Sequence, residues 1–140
     1  MDIVLSLLAD AANITNNGKL NLLGVFQSVC AKEVPVPLPL FYIVINLRAD
    51  SHDKGTHHTY ALQLKDADLR SVYETDDQPF SIPADTLMPF AEVGMIIAVH
   101  ALIFPVFGHY QFHILIDGVQ RREIDLLVQP IFVSHEERQE

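Results

Sequence analysis

Tryptophan is absent from these 140 residues, cysteine occurs once, and Lys and Arg together number only 9. Each shortage excludes something. With Cys30 alone, no intramolecular disulfide can close and no thiolate metal cluster can assemble, which points to a reducing compartment. Asp and Glu number 18, giving a formal net charge of −9 that would repel a phosphate backbone or an anionic bilayer surface. Arg121 and Arg122 are the only adjacent cations, so the basic stripe that nucleic-acid binding draws on is missing. No apolar run reaches the roughly 18 residues of a membrane helix. The apolar stretch 3–12 follows Asp2 with no Lys or Arg ahead of it, so it lacks the positive region of an export signal. A soluble cytoplasmic protein is the expectation. No Gly-x-Ser-x-Gly elbow or phosphate-cradling glycine loop occurs, and Cys30 sits in an apolar stretch where a thiol is an inert hydrophobe. The sequence therefore assigns no catalytic residue and no cofactor.

What the chain does have is apolar material cut into short alternating runs. Apolar residues make up 49% of it, enough to build a core without metal or disulfide staples. One domain is expected over 1–130, with 131–140 as a charged tail. Tyr110, Phe112, Ile114 and Ile116 alternate with His109, Gln111, His113 and Leu115, then Asp117-Gly118 breaks the run and a second alternation follows. That pattern specifies a hairpin. Asn16-Asn17-Gly18 separates runs 3–12 and 20–29, and a second antiparallel pair is read there. Runs 41–48, 59–66 and 69–74 are further strands, with Tyr60, Leu62 and Leu64 inward. Residues 75–88 read as a long loop, and 91–104 as a strand covered on both faces.

Prolines at 35, 37 and 39 remove amide donors, so 34–40 cannot be a central strand and reads as a crossover between sheets. About eight short strands without an amphipathic helix predict an all-β, two-layer antiparallel sandwich of immunoglobulin-like type. Tyr110, placed just after Pro-x-x-Gly at the start of its strand, resembles the tyrosine corner of that fold.

The richest polar constellation is Asp50, His52, Asp53, His57 and His58, three imidazoles and two carboxylates within nine residues. It defines the alternative reading, a metal-binding protein or metal-dependent hydrolase, because zinc takes three or four such ligands. Strand geometry opposes it, since His57 and His58 would face opposite ways. His109 and His113, about 13 Å apart along a strand, are too distant to share an ion. Asp50, Asp53, Asp66, Asp68, Asp76 and Asp77 could suggest calcium, but Asp is also a common turn residue. Tyr42, Tyr60, Tyr73 and Phe80 could offer stacking platforms to a carbohydrate, a reading weakened by the lack of Trp.

Leu8, Leu23, Val25, Val44 and Leu115 are apolar positions on faces read as outer, so something is expected to cover them. The leading expectation is a non-enzymatic binding or structural module that self-associates or takes a protein partner, without nucleic acid or membrane.

Several segments carry a resemblance: Leu7-Leu8-Ala9-Asp10-Ala11, Gly18-Lys19-Leu20, Pro35 to Pro39, Leu62-Gln63-Leu64-Lys65-Asp66-Ala67-Asp68, and Gly108-His109-Tyr110-Gln111-Phe112 running to Ile116-Asp117-Gly118. Together they are similar to an uncharacterised bacterial family of short β-sandwich proteins. The resemblance implies the sandwich and no activity, ligand or site residue. One departure is Asp68-Leu69, where relatives carry Asp-Gly, so a different turn is expected there.

Overall fold

The computed structural model describes residues 1–131, with ten strands and no helix among them. β1 (Asp2–Ile14) and β2 (Leu20–Phe26) form the first hairpin, and β4 (Val36–Ala49) and β8 (Ala91–Phe104) complete one sheet in the order β2-β1-β4-β8. The second sheet runs β3-β10-β9-β5-β6, from β3 (Ser28–Ala31), β10 (Val119–Pro130), β9 (Gly108–Ile116), β5 (His57–Lys65) and β6 (Ser71–Glu74). β7 (Gln78–Ser81) pairs with β5 beyond the end of β6. The expected charged tail lies outside the described residues from 132 onward.

Every pairing is antiparallel except β3 with β10. This resembles the immunoglobulin strand order, with a first strand beside two others in one layer and a short parallel strand and a G-F-C-type ladder in the other, but β2 is added outside β1. The strand that would flank β8 in that order is missing from the described residues. The tyrosine corner is present as expected. Tyr110 is buried, its Oη donates to the Val106 carbonyl at 2.6 Å and accepts from the Val106 amide at 3.2 Å.

The inward alternation of β9 explains most of the core. Tyr110, Phe112, Ile114 and Ile116 are all buried, facing Phe41, Ile43, Ile45 and Leu47 of β4 across the sandwich. Phe41 stacks edge-on against Phe112 at 6.0 Å and against Phe26 at 5.9 Å, so one aromatic row ties the two layers together. The hairpin turn forms at Asp117-Gly118, whose φ values of 52° and 80° match a two-residue I′ turn.

Three expectations are corrected. Residues 36–40 are strand rather than crossover: only their β8 side is paired, because β1 reaches β4 no further than Tyr42, so the missing proline donors leave no gap. The crossover is confined to 32–35. Residues 75–88 contain β7, which tolerates Pro79 because it pairs on one side only. β8 is not a covered inner strand but the edge of its sheet, with Glu92, Ala98 and His100 exposed.

The turn after β5 also departs from Asp-Gly. Leu69 takes a left-handed φ of 63° while the Asp66 carboxylate accepts the amides of Asp68 and Arg70. Of the outer positions, Leu8 belongs to the core, Val44 is buried, Leu115 is half-buried, and Leu23 and Val25 stay exposed. Part of that outer face is covered by the chain itself. The tip of the β1–β2 hairpin curls over it, bringing Ile14 Cδ1 within 3.0 Å of where a Gly94 Cβ would sit.

Candidate functional site

The loop that carries the histidines and aspartates does not gather them. His57 and His58 face opposite sides of β5, pairing with Ser81 and Phe80 respectively, and His57 is exposed. Asp50 turns its carboxylate onto the His52 amide at 2.9 Å, a local turn bond. Asp53 lies 3.5 Å from the Met1 amine, and His52 is exposed. Among the described residues no three His, Cys, Asp or Glu side chains converge in a way that could hold an ion. His109 pairs with Asp125 at 3.1 Å, while His113 is buried on the other side of β9 from the core, its Nε2 without a partner among the described residues.

What the structure does assemble is a corner the sequence did not suggest. His58 Nδ1 lies 2.6 Å from Asp117 Oδ2, and His58 Nε2 lies 2.6 Å from Thr56 Oγ1. Hydroxyl, imidazole and carboxylate in that order have the connectivity of a hydrolytic triad. The proton inventory argues otherwise. Thr56 Oγ1 sits 2.5 Å from the Asp53 carbonyl, which can only accept, so the single hydroxyl proton is spent there. With its proton directed at that carbonyl, the Thr56 hydroxyl is not presented to the imidazole in the way a nucleophile is presented to its base.

The corner is a clasp. Asp117 Oδ1 accepts the Thr59 amide at 3.0 Å, and the Asp117 amide donates to the Thr59 carbonyl at 2.9 Å, fastening the β9–β10 turn to β5. Both Thr56 and Asp117 were visible in the sequence, but only as loop and turn residues.

The hydrogen bond from His58 holds the Asp117 carboxyl below its ordinary value. Burial opposes it, and the Thr59 amide and the charges of His58 and Arg121 add smaller downward contributions. A depressed folded-state value stabilises the fold above the ordinary carboxylate range, and that contribution is lost as pH falls through the folded value. Asp117→Asn is therefore expected to lower the melting temperature at about pH 7 and to lower it less at about pH 3, below the ordinary carboxylate value, where the contribution of the depressed group is already diminished. Melting curves at both pH values check this; an equal difference at both would refute the electrostatic account.

The stacking residues proposed for a sugar do not form one open platform. Tyr60, Tyr73 and Phe80 pack against the core, and burial together with Tyr73 raises the Tyr60 hydroxyl above its usual value. A hollow of about 250 Å³ lies beside Arg121 and Arg122, between Asp2, Ile3 and Ile116. Arg122 already donates to the Ile3 carbonyl at 2.8 Å, a structural use of that charge.

The remaining feature is the β8 edge. β6 and β7 are four residues each, β3 is equally short, and β2 is seven residues with a left-handed Gly24. These are the usual ways of blunting an edge. β8 runs for 14 residues without Pro, Lys or Arg, and nothing pairs with its outer side among the described residues.

A two-layer, immunoglobulin-like β-sandwich with one long edge left open among the described residues is the class that the fold defines. The sequence profile of a family of unknown function, DUF6941, matches residues 4–129, and the chain belongs to that family. No curated protein matches it. Among solved structures it is similar to the Pseudomonas fluorescens alkylpurine DNA glycosylase AlkC bound to DNA containing an abasic site analog, with 9% identity and a TM-score of 0.46. That likeness covers 89% of this chain and 30% of the glycosylase, and is too distant to carry function.

Proposed function

We propose that this chain is a non-enzymatic binding module that works by self-association, one copy extending the sheet of another. The observation that carries the reading is the β8 edge, long, apolar and unblunted where the other edges are short or buckled. An exposed row of amides and carbonyls is a template for another strand, and a chain that leaves it open invites one. The commitment of the Thr56 hydroxyl to the Asp53 carbonyl, and the ties of Asp117 to Thr59, favour a structural over a hydrolytic role for that corner. Cys30 is exposed and solitary, which suits a reducing, cytoplasmic setting.

Light scattering after gel filtration tests the proposal. A two-chain mass in the micromolar range is expected, and Ile96→Lys, which sets two ammonium groups at the middle of the joined edge, is expected to return one-chain mass with unchanged circular dichroism. A one-chain mass for the wild type throughout the micromolar range would end this reading.

A further inference from the structure

We infer that two copies join through antiparallel β8 strands about a two-fold axis at Ile96, an inference that rests on the self-association proposed above. The register follows from side-chain facing. On β8, Ala91, Met95 and Val99 are buried and Val93 and Ile97 pack against the core, so odd positions point inward and even ones outward. Residues opposite each other in an antiparallel pair share a face, as Val44 with Ile96 and Phe41 with Val99 already do in the β4–β8 ladder. When β8 meets its own copy, an inward residue must oppose an inward one. The axis therefore passes through a residue and never between two.

The usable run fixes which residue. It starts at Ala91 and stops at Ala101, whose left-handed φ of 52° marks the point where the inward face passes to Leu102 and Phe104. Ile96 is midway. With the axis there, Met95 opposes Ile97 of the second copy and Val93 opposes its Val99, continuing the core row across the junction. On the outer face, Gly94 meets Ala98, and Glu92 meets His100 at both ends. Those are the only two ionisable side chains on the strand. An axis at Met95 would set Glu92 against Ala98 and His100 against Phe90; one at Ile97 would set Glu92 against Leu102. Only the Ile96 register matches acid with base, twice. Glu92 also holds Arg48 at 2.9 Å, so its carboxylate is already oriented at the outer surface.

Cysteine cross-linking in a Cys30→Ser background reads the register. Opposed side chains in an antiparallel pair have Cβ atoms about 4.5–5.5 Å apart, close enough for a disulfide after slight adjustment. Ile96→Cys is expected to oxidise to a covalent dimer in near-complete yield. Ala98→Cys, offset from its own copy by four residues or about 13 Å, is expected to yield less than about a tenth as much. His100→Glu, an exposed change that leaves the core alone, is expected to weaken the dimer several-fold, and Glu92→Lys combined with it to restore the affinity.

A two-chain mass by scattering with cross-linking at residue 98 and none at 96 would overturn the register while leaving self-association in place. A one-chain mass with neither cross-link would overturn both.

Discussion

Phe112→Ala is expected to cost about 3–5 kcal/mol of unfolding free energy, a large share of the roughly 5–15 kcal/mol a folded domain possesses. Phe112 is fully buried on β9 and meets Phe41 of the opposite layer edge-on at 6.0 Å, while Phe41 meets Phe26 at 5.9 Å. Truncation removes the ring from the middle of this row. The transfer of apolar surface is lost, and the neighbours, held by two pleated layers, can close only part of the void. Urea denaturation should show a lower midpoint with an unchanged slope, the mark of lost stability rather than altered compactness. Phe112→Leu keeps much of the volume and is expected to lose less, which preserves a measurable folded state if the alanine variant fails to fold. A loss below about 1 kcal/mol for alanine would mean that the aromatic row is not the centre of the core.

Gly24→Ala is expected to be the most damaging change on the surface, at about 1–3 kcal/mol from backbone conformation alone. Gly24 sits at φ +68° in β2, and a Cβ there would lie 2.9 Å from Asp10 Cγ and 3.0 Å from Asp10 Cβ. Two penalties therefore coincide. Gly18 separates them: at φ +83° it has nothing within 4 Å, so Gly18→Ala incurs only the conformational one. Asp10→Ala combined with Gly24→Ala is expected to recover at least about 0.5 kcal/mol relative to additivity, since the carboxylate contact is gone. Equal losses at Gly18 and Gly24 would show that the approach of Asp10 is immaterial.

The parts of this fold that alternation describes were legible, and the parts set by pairing were not. Tyr110, Phe112, Ile114 and Ile116 announced their face because β9 has period two and one side meets the core. Asp117-Gly118 announced its turn because both residues accept positive φ. β8 misled, because its apolar residues on both faces look like a covered strand, whereas what is open is the hydrogen-bonding edge in the plane of the sheet. Nothing in composition records whether a strand has one neighbour or two. Pro37, Pro39 and Pro79 misled for the related reason that proline excludes a strand only where both sides are paired. Ala101 gave no warning at all of its left-handed backbone, which alanine seldom adopts.

The candidate site was legible only in fragments. Five potential ligands within nine residues are dense in sequence, but pleating sends His57 and His58 apart and the loop amides occupy Asp50. The clasp that does form joins His58 to Asp117 across 59 positions, a distance along the chain at which spacing carries no signal.

The parallel partnership of β3 with β10 bears on how the chain reaches this state. Gln129 touches Cys30 across 99 positions, and Arg122 reaches the Ile3 carbonyl across 119. β1 can pair with β2 and β4 within the first 49 residues, but β3 has no strand partner until β10 has been made, so loop-closure entropy precedes the reward of these contacts. The β3 edge is accordingly expected to dock last, closing a sheet whose other strands are already in place.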